Sequence, residues 1–214
     1  MRNILLALTS AALLSACGAG TENAASTAPD SAAFPNMAGA SYRLEANVHH
    51  TDGTTIPVVM VRDGAKMRME FSTTQGSSTV IADATTGESY VIAQMGGQTI
   101  AMRAPADGSG FQDPTADWQV ELAQTATRTG ECSAAGQTGG QWTKTEDGVV
   151  KTVCVTEDGV LLGAAEDGRT VWETTSVERG PQPADQFVLP PGARVMDLGN
   201  MGGMMEAIER ARDK

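Results

Sequence analysis

Glu-Asp-Gly-Val-Val-Lys-Thr-Val-Cys-Val-Thr-Glu-Asp-Gly-Val-Leu-Leu-Gly-Ala-Ala-Glu-Asp-Gly, residues 146–168, sets the reading of the whole chain. Three Asp-Gly pairs, at 147–148, 158–159 and 167–168, bracket two short apolar runs. Asp-Gly supplies the positive φ values that two-residue hairpin turns require, so each pair marks a reversal between antiparallel strands. Upstream, Asp52-Gly53 and Asp63-Gly64 repeat the signal. Tyr42, Leu44, Ala46 and Val48 alternate with polar residues, as do Met67, Met69 and Phe71. That two-residue period belongs to strands with one buried face.

Along the rest of the chain, strands are expected near 41–50, 56–62, 66–72, 77–83, 88–94, 97–103, 117–127, 140–146, 149–156, 159–165, 169–178 and 186–189. The links are too short for helical crossovers, so the sheet is antiparallel. A sheet of this many strands must curl, split or close. Residues 104–116, rich in Gly and Pro, read as a loop over one end of the sheet. The persuasive helix comes last: Met201, Met204, Met205 and Ile208 follow helical spacing, with Asn200 as a candidate cap. Whether that helix packs on the sheet or lies loose is undecided at this level. The expected fold is mainly β, a strongly curved open half-barrel with a short C-terminal helix.

The N-terminus carries an address. Arg2 precedes an apolar run from Ile4 to Leu14, followed by small residues, which is the layout of a secretory signal. The run is far short of the ~20 residues a helix needs to span a bilayer. Leu14-Ser15-Ala16-Cys17 looks like a bacterial lipobox, which makes Cys17 the expected lipidation site and membrane anchor. Several acyl chains together give stable anchoring, since each buried methylene contributes ~0.8 kcal/mol. Gly18, in the sorting position of such proteins, points to the outer membrane, facing the periplasm, in a diderm cell. The expected division is a signal peptide over 1–16, the lipidated cysteine and a flexible tether over 17–39, a β domain over 40–198 and the helix over 199–214.

With 26 acidic and 15 basic residues, the chain has a net charge of −11, and removing 1–16 takes away Arg2 and no acid. Such a surface repels phosphate backbones, so nucleic acid is not an expected partner. Cys132 and Cys154 remain in an oxidising compartment, where a structural disulfide is the simplest reading and a redox pair the alternative. If an intervening strand separated them, their Cα atoms would sit ~9–10 Å apart, beyond bridging distance, so Cys132 has to fold back toward Cys154.

A lipobox, a linker and a long meander ending in Pro183-Ala184-Asp185-Gln186-Phe187-Val188-Leu189-Pro190-Pro191-Gly192-Ala193-Arg194-Val195 together resemble the lipoprotein-localisation-factor superfamily of periplasmic lipoprotein carriers and outer-membrane receptors. The resemblance spans residues 41–198 in architecture, while its distinctive residues lie in 187–195. It implies a half-barrel whose concave face holds acyl chains. Dedicated carriers place helices across the mouth, and here the comparable insertion is 104–116, which favours an uncharacterised relative.

The candidate lining of such a concavity is Met60, Met67, Met69, Phe71, Met95, Met102, Trp118, Trp142 and Trp172. Methionine is flexible and polarisable, which suits an adaptable apolar surface, though the same residues serve equally as core. No catalytic set emerges. His49 and His50 are the only histidines and, as strand neighbours, face opposite sides; no Gly-x-Ser-x-Gly elbow is present. Copper on the methionines finds no Cys or His beside the cluster, and the Asp-Gly turns lack the spaced acids of a calcium loop. No metal or cofactor is expected, and no enzymatic activity. The functional expectation is a membrane-anchored lipoprotein that binds an acyl-chain or lipid-like ligand. The alternative is a structural envelope lipoprotein with a packed core that docks a protein partner.

Overall fold

A computed structural model describes residues 33–74, 76–104 and 113–197. The expected signal peptide, the expected lipidation site Cys17, most of the expected 104–116 loop and the expected C-terminal helix lie outside these residues.

The chain forms β1 (Ser41–His49), β2 (Thr55–Asp63), β3 (Lys66–Thr73), β4 (Gly76–Asp83), β5 (Glu88–Met95) and β6 (Gln98–Arg103). A helix, α1 (Pro114–Thr125), intervenes before β7 (Thr127–Ala134), β8 (Gln137–Glu146), β9 (Val149–Val155), β10 (Leu161–Glu166) and β11 (Arg169–Arg179). A 3-10 turn at Ala184–Phe187 and a short β12 (Arg194–Asp197) follow. All twelve strands join one open sheet in the order β12-β6-β5-β4-β3-β2-β1-β11-β10-β9-β8-β7. Two meanders therefore run outward from a central β1–β11 seam, and the mainly β, unclosed architecture is the one the turn chemistry implies.

Alternation decides the inner face. Tyr42, Leu44 and Ala46 are buried, in phase with Val58 and Met60 on β2, Met67 and Met69 on β3, and Val80 and Ala82 on β4. Across the seam, Val48 pairs with Trp172, which pairs with Ala164, then Val153, then Trp142. These residues form one core cluster. A smaller cluster lies on the opposite face, where Ile81, Ile92 and Ala101 are covered by Leu189 and Ala193.

Several expectations are corrected. The strand expected over 117–127 is replaced by α1, which runs from Pro114, inside the expected loop, to Thr125, and β7 begins at Thr127. Asp113 caps α1 by accepting from the Thr115 amide at 2.9 Å, and Pro114 starts it where a missing N–H costs nothing. Residues 186–189 are not a strand either, because the proline-bounded segment makes a 3-10 turn and then crosses the outer face. The sheet is antiparallel except at one edge, where β12 runs parallel to β6. Residues 33–39, expected at the end of a tether over 17–39, place Phe34 and Met37 on the core.

The disulfide Cys132–Cys154 is present, and it contradicts the geometric premise about an intervening strand. Its cysteines sit on β7 and β9, with β8 between them, yet their Cα atoms are 5.9 Å apart. Bulges at Arg128/Gly130 and Leu161/Gly163 increase the local twist. Opposite Cys132 stands Gly139, where a Cβ would meet the Val155 carbonyl oxygen at 2.5 Å. A strand without side chains at that point lets its two neighbours close over it, and β7 also touches β10 and β11.

Candidate functional site

The inner face forms an apolar trough, and side chains from outside the sheet cover it. Met60, Met67, Met69, Trp142 and Trp172 lie together in its wall, with Phe71 and Trp118 packed at its margin. Met102 is half-buried on β6, and Met95 is 59% exposed at the β5–β6 turn, so Met95 does not line the trough.

The helix α1 crosses the trough and is held at both ends by charge. At its start, Arg62 of β2 is 0% exposed and donates to Asp113 Oδ2 at 2.5 Å and to Thr115 Oγ1 at 2.6 Å. Arg62 follows Val58 and Met60 in phase, which puts a guanidinium on the buried face. Its Nε has no acceptor there. Tyr42 stands beside it; burial pushes the phenol pKa up, against the pull of the guanidinium. Further along, Leu122 is 4% exposed and seats the helix on the core. Glu121 then accepts from Lys144 at 2.7 Å and from Lys151 at 3.3 Å. The Lys144 hydrogen bond holds the Glu121 carboxyl below the usual carboxylate range. Glu146 completes the cluster, 3.1 Å from each lysine.

The cover does not fill the trough. A cavity of about 60 Å³ remains between α1 and the sheet, lined by Trp118, Leu122, Val153, Ala164 and Val171 among others. That is room for several water-sized spheres, walled on one part by these apolar side chains and on the other by Glu121, Lys151, Thr152 and Glu166.

The second covering element is the segment before β1. Phe34 meets Trp142 edge-to-face at 5.2 Å, Met37 is 1% exposed, and the Met37 amide donates to Gln119 Oε1 of α1 at 2.7 Å.

Other concavities are open. An outer groove of about 550 Å³ runs past His49, Cys154, Gly163, Ala165, Thr170 and Glu173. A polar cleft of about 450 Å³ contains the Asp158–Arg179 pair, 2.7 Å apart. His49 is a surface residue 3.4 Å from Glu173, and His50 is exposed. Among the described residues, no three His, Cys, Asp or Glu side chains converge as a metal site, and no helix is long and apolar enough to cross a membrane.

Sequence reasoning missed Arg62, Asp113, Glu121, Lys144, Phe34 and Met37. Asp113-Pro114 is a helix-start signal, and Lys144 is in phase with the buried Trp142. Phe34 and Met37 are the only large apolar side chains between Leu14 and Tyr42.

No protein-family model matches the chain, and no curated protein matches it. Several solved structures are similar in shape. MucB, solved in complex with MucA(peri), superposes at TM-score 0.49 with 16% identity, over 73% of this chain and 57% of that one. PNGF-II gives 0.47 and 13%, over 74% and 31%. An uncharacterized conserved protein from Thermus thermophilus gives 0.48 and 11%, over 74% and 91%. The chain thus spans about a third to just over half of PNGF-II and MucB. At these values the similarity carries no argument about activity or partners.

Proposed function

We propose that the protein is a non-enzymatic envelope lipoprotein, anchored by lipid on Cys17, whose trough takes up a hydrophobic, acyl-chain-like ligand beneath α1. On this reading it belongs with the half-barrel carriers it resembles in sequence, at the outer membrane of a diderm cell. The observation that carries the proposal is the nature of the cover. Among the described residues no backbone ladder joins α1 to the sheet; side chains alone hold it, Leu122 and Trp118 on the core, Asp113 and the buried Thr115 on Arg62, and Glu121 on Lys144, over a cavity they do not fill. A cover held by side chains opens without breaking the sheet, and the apolar part of the wall behind it favours an apolar occupant.

The test is native mass spectrometry on residues 18–214 exported behind a non-lipoprotein signal and purified from their own envelope without detergent. The expected result is a mass excess that organic solvent removes, with saturable binding of a fluorescent fatty acid. In the unaltered precursor, the Cys17 peptide is expected to carry a diacylglyceryl mass. A bare protein that ignores the fatty acid sinks the ligand reading. It would favour the structural alternative, in which the burial of Met37 and Leu122 is simply a finished core and a protein partner docks outside.

A further inference from the structure

We infer that Phe34–Met37 is a built-in occupant of the trough, holding a subsite that an acyl chain of the ligand takes when it enters. The inference rests on the ligand reading above and names where the ligand goes.

Met37 is buried like core, and half-buried Phe34 packs beside it, but the segment is attached like a ligand. Met37 is as inaccessible as the strand residues beneath it, yet neither it nor Phe34 belongs to a strand or helix. Two amides of 36–39 bond within their own turn: the Gly39 amide donates to the Asn36 carbonyl, and the Ala38 amide to Asn36 Oδ1. What ties the segment to the rest is two apolar side chains and one amide. Phe34 lies edge-on to Trp142, and Met37 enters the core cluster. The Met37 amide bonds Gln119, which belongs to the covering helix rather than to the sheet. The seat is also shaped for a chain passing closely: the Asn36 carbonyl lies where a Cβ on Gly159 would stand, 2.1 Å away, so that turn accepts the segment only because residue 159 is glycine.

An unbranched thioether chain in an apolar socket is a close physical match for a short stretch of acyl chain, in width, flexibility and lack of hydrogen-bonding demand. Because the segment is bonded to Gln119, movement of α1 to admit a ligand also strips the Met37 amide of its acceptor. Cover and occupant are therefore expected to leave together.

Peroxide footprinting on residues 18–214 tests this with methionine oxidation mapped by mass spectrometry, using palmitate as the added chain and displacement of a fluorescent fatty acid to establish binding. Met67, fully buried on β3, reports any wholesale opening. The expected result is that saturating palmitate speeds oxidation of Met37 at least tenfold while Met67 keeps its protection. Palmitate that binds while Met37 stays protected overturns the inference and leaves the ligand reading standing. Acceleration of Met37 and Met67 together overturns it as well, because the whole core is then opening. If the native chain takes up no fatty acid, a Phe34→Ala/Met37→Ala chain decides: a gain of binding supports the built-in occupant, and none overturns both readings.

Discussion

The strands from Ser41 to Arg103 and those from Thr127 to Arg179 are both meanders leading away from the same seam, yet they are built differently. In β1–β6 every pairing keeps its register from end to end. In β7–β11 the register slips at Arg128/Gly130, at Leu161/Gly163 and at Ala164/Ala165, and the seam slips at Glu45/Ala46. Each bulge adds twist, and the twist accumulates until β7 folds back and a disulfide joins it to β9. One half is a smooth wall stabilised by local hairpins. The other is a coiled wall held by long-range clamps, and it carries most of the cover. In this molecule regular pairing makes the surface of the trough, and irregular pairing gives it depth.

The two halves are most sensitive at the clamp that links them. Asp113→Ala leaves the Arg62 guanidinium buried and unpaired, for which about 3–5 kcal/mol of stability is expected to be lost, measured by urea unfolding. Replacing Arg62 and Asp113 together by apolar residues of similar volume is expected to recover much of that loss. A loss below about 1 kcal/mol for Asp113→Ala would mean that α1 is not pinned from β2 at all.

The disulfide comes next. Its two cysteines are separated by 22 positions, a loop whose closure contributes about 3 kcal/mol in the chain-entropy model. Cys132→Ala/Cys154→Ala is expected to lower stability by about that amount. Hydrogen exchange should rise in β7 and β8 while β2–β4 stay protected. Equal loosening of both halves would abolish the distinction drawn between them.

The smallest effect is electrostatic. Arg179, donating to both oxygens of Asp158, brings that carboxyl down from its ordinary value to about 2. Because the folded pKa lies below the unfolded one, the unfolded chain takes up the proton first on acidification. The contribution is present above about pH 4 and is lost as pH falls toward about 2. Both side chains are well exposed, so solvent screens the pair and the slope is shallow. Asp158→Asn should flatten the melting temperature across that same acid range, and an unchanged slope would show that the pair contributes nothing.

Legibility follows turn chemistry and alternation in both halves. The strands of the first half stand within a residue or two of where alternation and Asp-Gly turns put them, because both signals are local. In the second half β9, β10 and β11 stand as close to their expected places, set by the same Asp-Gly turns, while α1 falls where a strand was expected and β7, with Gly130 and an exposed edge, shows no alternation to read. The trough residues Met60, Met67 and Met69 were legible for the first reason. Arg62 was in phase but carried a charge, and only the arrival of Asp113, 51 positions later, explains its burial.

Antiparallel hairpins, their buried faces, the open mainly β sheet and the pairing partners available to two cysteines were all written in the chain's local order. These depend on turn chemistry and on a period of two, which neighbouring residues specify among themselves. Folding in three dimensions had to settle that 114–125 is helix, that Phe34 and Met37 belong to the interior, that β12 returns parallel to β6, and that Cys132 reaches Cys154 across β8. Each of those outcomes turns on groups far apart in the chain: a buried guanidinium seeking a carboxylate, an apolar socket seeking a side chain, and a sheet twisted enough to bring second-neighbour strands together.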